Sequence, residues 1–285
     1  MGKSLTEKIL KILAKTMAVT ALLVAALTSS TSYAQTDVSP NLATTVPSQF
    51  YTDRYAPTIF QLANGVHGRN DVLQLQAGTD AANRPNGQQG AFYNTQGMKT
   101  DVNTTGSWLF QSDLYVLGAW GSANNGYVRT DIWATATDDV GFSNPSHYPI
   151  VGFTNYGGAA RFRGFDVNGG GWQDYTNTIN YNSWNTLGMG FNAGTNTFSY
   201  YVNGALAGSV VGSNTSTGVA NVMYQSYNFN DPALQISGNP NETVNWSNTS
   251  SSVVPEPSTY ALMAFGLAGL FAARRKRARS AVTNA

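Results

Sequence analysis

The chain has 285 residues, of which 11% are charged, and a formal net charge of +1. It holds no cysteine, so disulfide staples and thiolate chemistry are excluded. The positive balance comes from the ends: between Gln35 and Ser252 seven bases face thirteen acids, a net of −6, and a mildly acidic domain has no electrostatic footprint for DNA or RNA.

The chain opens with Lys3, Lys8, Lys11 and Lys15, followed by an apolar stretch from Met17 to Leu27. Small and polar residues then lead to Ser32-Tyr33-Ala34, the small-x-small pattern that signal peptidase cuts. This layout is a secretory signal over residues 1–34, with cleavage between Ala34 and Gln35. Its apolar part is continuous rather than periodic, which argues against an amphipathic first helix of the fold.

Residues 35–252 read as one all-β domain, large enough to build a core without staples. Apolar residues alternate over short runs: Val72–Gln76, Trp108–Leu117, Tyr127–Ala136, Tyr148–Thr154 and Ala160–Val167. In the run from Trp184, residues Leu187, Met189 and Phe191 share one face, and a turn follows through Ala193-Gly194-Thr195-Asn196. Phe198, Tyr200 and Val202 again share a face, and Asn203-Gly204 has the form of a two-residue hairpin turn. Val219–Tyr227 and Thr243–Ser247 supply late strands. About a dozen strands at this spacing predict a two-sheet sandwich, and no segment of the domain shows a helical period.

Few side chains in the domain suggest chemistry. His67 and His147 are eighty residues apart and both lie in turn-like contexts. No serine sits in a Gly-x-Ser-x-Gly elbow, and Gly169-Gly170-Gly171 has no lysine beside it, so it is a loop rather than a phosphate cradle. Asp138, Asp139, Ser143 and Asn144, and separately Asn230 and Asp231, offer oxygen ligands of the kind calcium takes. Neither stretch alternates ligands as a calcium loop does. Solvated turns explain both, and no cofactor is assigned; calcium is the only candidate.

Aromatic residues are the remaining signal, because sugar rings stack on exposed aromatic faces. Trp108, Trp133 and Trp184 sit in alternating strands and read as core. Trp120 and Trp172 lie beside glycine and polar loops, where they either pack inward or line a binding surface. In the second case they are carbohydrate-binding candidates, with Asp166 and Asn168 as neighbours.

After the domain come Pro255-Glu256-Pro257, an uncharged run from Tyr260 to Ala273, and Arg274, Arg275, Lys276, Arg277 and Arg279. As a helix the run would be ~21 Å long, short against a hydrocarbon core of ~30 Å unless flanking side chains extend it. Bases directly after it stay in the cytoplasm, so the expectation is a short transmembrane helix at 260–273 in the inner membrane, a basic tail at 274–279 and a domain on the far side. Residues 253–279 resemble the PEP-CTERM sorting signal, carried by Pro255, Glu256, Pro257 and the arginines beginning at Arg274 and Arg275. The resemblance implies processing by exosortase, a membrane enzyme of Gram-negative bacteria that often make exopolysaccharide, and a final place on the cell surface or in the extracellular matrix.

Phe50 to Trp246 resembles the concanavalin A-like jelly roll, particularly its laminin-G-type members, through a tryptophan, an alternating strand, a turn and an aromatic strand ending in Val202-Asn203-Gly204. Hydrolases of that class place Glu-x-Asp-x-Glu on one strand, so that two glutamates flank the bond on one face. Here Glu242 is the domain's single glutamate, and Asp138-Asp139 are adjacent and would face opposite ways on a strand. The reading is therefore a non-enzymatic exported protein that contacts extracellular polysaccharide. A purely structural envelope protein and an unrecognised glycoside hydrolase are the alternatives.

Overall fold

Alternation along short runs builds two antiparallel sheets that share one apolar interior. The computed structural model describes residues 49–54, 56–79, 94–122, 126–230 and 241–253. The chain divides into two units, Met1–Ala34 and Gln35–Ala285, and every described residue belongs to the second. Ala34, Gln35, Asp231, Pro255, Glu256, Pro257, Arg274, Arg275 and the expected helix at 260–273 lie outside the described residues. No helix among the described residues is long and apolar enough to cross a membrane.

The described strands begin with β1 (Tyr51–Thr52), β2 (Ile59–Ala63), β3 (Val72–Gln76), β4 (Thr95–Thr105) and β5 (Trp108–Val116). They continue with β6 (Arg129–Thr137), β7 (Pro145–His147), β8 (Ile150–Thr154), β9 (Arg161–Asp166) and β10 (Gly171–Tyr175). The last are β11 (Ser183–Asn192), β12 (Thr197–Val202), β13 (Ala205–Val211), β14 (Gly218–Tyr227) and β15 (Val244–Val253). One sheet runs β1-β4-β14-β6-β8-β9-β10 with β7 beside β6, and the other runs β13-β12-β11-β5-β15-β3-β2.

Because side chains alternate across a strand, each sheet turns one face inward. Ile132, Val151, Phe153, Phe162 and Tyr224 from the first sheet meet Phe110, Leu114, Leu187, Met189, Phe198 and Trp246 from the second, all fully or almost fully buried. Three polar groups tie the sheets together. Trp246 Nε1 donates to Thr130 Oγ1 at 3.2 Å, Tyr200 Oη donates to the Phe165 carbonyl at 2.5 Å, and the Tyr224 and Thr249 hydroxyls are hydrogen-bonded to each other. A buried hydroxyl or indole N–H without such a partner would cost about 1–3 kcal/mol.

The Asn203-Gly204 turn closes β12 onto β13 with positive φ at both residues, 51° and 78°, as a type I′ hairpin requires. Two departures from the sequence reading have simple causes. The run Tyr148–Thr154 starts only at Ile150, because Pro149 has no N–H to give a ladder. The strand β4 escaped the pattern because its buried residues include Gln96 and Thr100, which read as polar.

Candidate functional site

The outer face of the β1–β10 sheet carries a groove of about 890 Å³, within the ~300–1,000 Å³ of pockets that enclose a ligand. Strand register explains its composition. Met223 lies opposite both Lys99 and Trp133, Trp133 opposite Ile150, and Phe165 opposite Trp172. The result is a row of apolar side chains across the sheet: Met223, Trp133 and Ile150 form a small buried cluster on which Phe165 and Trp172 pack.

Beside it runs a second row with a different chemistry. Gln225 is opposite Asp131, Asp131 opposite Gly152, Gly152 opposite Arg163, and Arg163 opposite Asp174. Gly152 is required here, since a Cβ would run into the Asp131 carboxylate and the Thr130 carbonyl. The carboxylate thus leans over the glycine toward Arg163. Asp131 is fully buried, and its Oδ2 accepts from Arg129 Nε at 2.8 Å.

Arginine and aromatic side chains then interleave. The Arg163 guanidinium carbon lies 3.7 Å from the centre of the Trp172 ring, and that of Arg129 lies 4.8 Å from it. Arg54 sits over Trp133 at 4.9 Å, donates to Gln225 Oε1 at 2.7 Å and pairs with Asp53 at 3.0 Å. Lys99 reaches the same aspartate at 3.3 Å. Burial pushes the Arg163 guanidinium down to about 10, with Asp131 opposing the shift, so it is still a cation at neutral pH.

Tyr148 and Tyr156 complete the lining. Tyr148 is 44% exposed and meets Trp133 edge-on at 5.7 Å. Tyr156 is 45% exposed and packs on Phe229 at 5.0 Å. Each presents an aromatic surface to the solvent, which Trp133, buried in the floor, does not.

The sequence-based candidates are redistributed by this arrangement. Trp120 is a core residue and not an exposed platform: the short 3-10 turn Gly118–Gly121 tucks it inward, 2% exposed, with its ring 5.7 Å from Phe153. Trp172 does line the groove, but arginines lie over its ring. Asp166 and Asn168 shape the turn after β9 instead of facing the groove. The Asp166 carboxylate accepts from the Asn168 N–H at 2.9 Å, and Asn168 bonds to Val211 and Ser213. Asp139 caps its own loop through the Ser143 and Asn144 backbone N–H groups, and Asp138 accepts from the Asn144 side chain. No cluster of three or more potential acidic or histidine metal ligands occurs among the described residues.

Trp133, read from the sequence as core, is buried at 6% exposure, but in the small cluster on the outer face of its sheet and not between the sheets. Trp184, read likewise, faces outward and is only partly buried. Strand parity carried the signal: Trp133 shares its face with Arg129 and Asp131, and Trp184 is opposite in parity to Leu187, Met189 and Phe191. On the second sheet Trp184 lies under the Arg69 guanidinium at 4.2 Å, beside Tyr115, on which His67 stacks at 3.5 Å. Arg69 pairs with Asp113 at 2.7 Å, so the β2–β3 loop already covers these rings.

A two-sheet antiparallel sandwich of this kind is a jelly roll, a fold it shares with an alginate lyase. An alginate lyase variant in complex with an alginate trisaccharide superposes with a TM-score of 0.50 at 9% identity, over 79% of this chain and 96% of that one. A carbohydrate-binding module from Bacillus subtilis, CBM66, has a TM-score of 0.37 at 12% identity over 72% of this chain and 95% of that one. A sialidase has a TM-score of 0.46 at 11% identity over 78% of this chain, which spans 18% of the sialidase's length. At such identities the likeness is one of fold. Residues 253–277 match the PEP-CTERM protein-sorting motif, which marks the chain as an exported, exosortase-sorted cell-surface protein. No curated protein sequence matches the chain.

Proposed function

We propose that the domain is a non-enzymatic binding module that holds exopolysaccharide in the groove on the β1–β10 sheet. The observation that carries this is the pairing of a groove of about 890 Å³ with two exposed tyrosine faces, Tyr148 and Tyr156, above an aromatic floor. Sugar rings bury their C–H faces on such rings while hydroxyls meet side chains such as Asn221 and Thr135 at the wall. The two carboxylates at the groove, Asp53 and Asp131, are each engaged by a cation, so neither is free to hand a proton to a glycosidic oxygen.

In this reading the signal segment sends the domain across the inner membrane of a Gram-negative cell. The helix at 260–273 holds it there until exosortase acts, and the domain then joins the surface or matrix polysaccharide. Affinity electrophoresis of the full-length chain through gels containing extracellular polysaccharides tests it. Retardation that disappears in a Tyr148→Ala/Tyr156→Ala variant is expected. No retardation by any polymer would leave a purely structural envelope protein, and new reducing ends or unsaturated sugar ends in the polymer would show an enzyme instead.

A further inference from the structure

We infer that the polymer held in the groove is acidic, and that Arg163 is the group that meets a sugar carboxylate. This rests on the reading of the groove as a polysaccharide site and names its substrate class. Charge is sorted across the domain. Four of its seven bases, Arg54, Lys99, Arg129 and Arg163, line this one groove. Against them stand two acids, Asp53 in the wall and Asp131 beneath. The groove is therefore cationic in a domain whose net charge is −6.

Within that set Arg163 is the cation left without a dedicated partner. Arg54 and Lys99 share Asp53, Arg129 holds Asp131, and Asp174, opposite Arg163 in the ladder, is taken by Arg161 at 2.8 Å. Arg163 is 8% exposed, and its buried Nε has no hydrogen-bond partner among the described residues. A guanidinium this deep loses most of its hydration, and the Trp172 face replaces only part of it. What the stack does supply is position: a ring at 3.7 Å fixes the plane of the guanidinium and leaves its N–H edges for a ligand.

A planar carboxylate accepts two parallel N–H bonds from such an edge, and a sugar hydroxyl does not. A uronic acid unit therefore suits both features of the groove, its ring meeting the tyrosines and its carboxylate meeting Arg163. Trp172 acts as a positioning residue, through the arginine rather than as a sugar platform.

The test compares three polymers on the full-length chain by titration calorimetry at low and high salt: polygalacturonate, the same polymer after carboxyl reduction, and dextran sulfate. Polygalacturonate is expected to bind roughly tenfold or more tightly than the reduced polymer, and to weaken with salt. Arg163→Gln is expected to remove most of that difference. Arg163→Lys restores only part, since an ammonium lacks the fork. Trp172→Phe, which keeps a ring under the guanidinium, retains the preference for acid, and Trp172→Leu loses it. Equal binding of acidic and reduced polymers by the wild-type chain overturns the inference and leaves the polysaccharide reading standing. Binding of none of the three overturns both. Dextran sulfate bound as tightly as polygalacturonate, with the same loss in Arg163→Gln, overturns the assignment to carboxylate in favour of any sugar-borne anion. The polymer comparison needs no variant, so a poorly folding Arg163→Gln does not shield the idea.

Discussion

The Tyr200 hydroxyl crosses the sandwich to donate a hydrogen bond to the Phe165 carbonyl at 2.5 Å. Tyr200 belongs to β12 of one sheet and is fully buried, whereas Phe165 belongs to β9 of the other and sends its ring out to the groove. The core of the domain thus holds the backbone that carries the groove floor. Burial pushes the Tyr200 hydroxyl far above the usual tyrosine range, so it keeps its proton and stays a donor at neutral pH. Tyr200→Phe keeps the ring and deletes the bond. It should cost about 1 kcal/mol, or somewhat more if the Phe165 carbonyl finds no replacement, read as a lower urea midpoint with an unchanged m-value. A midpoint equal to wild type would mean that this tie between sheets contributes nothing.

Trp120 and Trp172 looked alike in the sequence, each beside glycines, and the structure separates them by burial. Trp120→Ala removes an indole from the interior and should destabilise the domain by about 3–5 kcal/mol. Trp172→Ala removes a half-buried ring whose main partners are Phe165 and two guanidiniums, and should cost about 1–2 kcal/mol. Calorimetric melting of the two variants side by side checks the ranking. Equal losses would contradict the separation.

How much of this was legible depended on what each residue type can signal. Alternation located the core strands because inward positions there are apolar: Leu187, Met189 and Phe191 announce β11, and Phe198, Tyr200 and Val202 announce β12. It failed for β4, whose inward Gln96 binds the Gly78 backbone at both ends of its amide and so fills a core position with a polar side chain. The groove was half legible. Parity within β6 and β9 already set Trp133 and Arg163 on the face opposite Ile132 and Phe162. Which strands would stand side by side, and so bring Arg163 into line with Gly152 and Asp131, depends on the order β6-β8-β9-β10. No local pattern encodes that order. Tyr148 and Tyr156 flank β8 outside its ladder, where alternation has nothing to say.

The Asn203-Gly204 turn offers a sharp test of local chemistry. Gly204 has φ of 78° with no neighbouring atom near a would-be Cβ, so the cost of a side chain there is conformational rather than steric crowding. Gly204→Val should lose about 1–3 kcal/mol, and Gly204→Asn, which tolerates positive φ, should lose clearly less. If both variants melt with the wild type, the hairpin does not depend on a type I′ geometry.

The final prediction concerns acid. His147 is buried, 2% exposed, with Nδ1 3.0 Å from the Ser216 hydroxyl and Nε2 accepting from the Asn214 N–H at 3.4 Å. Its ring packs against Phe198, and burial holds its pKa below the usual 6.5. His67, stacked on Tyr115, is shifted the same way for the same reason. A base whose folded pKa is depressed binds its proton more readily in the unfolded chain. Stability is therefore full above about pH 6.5 and falls as the pH drops from there toward the folded value. For His147 the slope in that window is at most about 1.4 kcal/mol per pH unit. Urea midpoints measured from pH 8 down to pH 5 should be level at first and then decline. A His147→Gln variant, though less stable throughout, should decline less steeply because glutamine has no proton to gain. Parallel declines in the two proteins would show that the acid sensitivity comes from the carboxylates and not from this histidine.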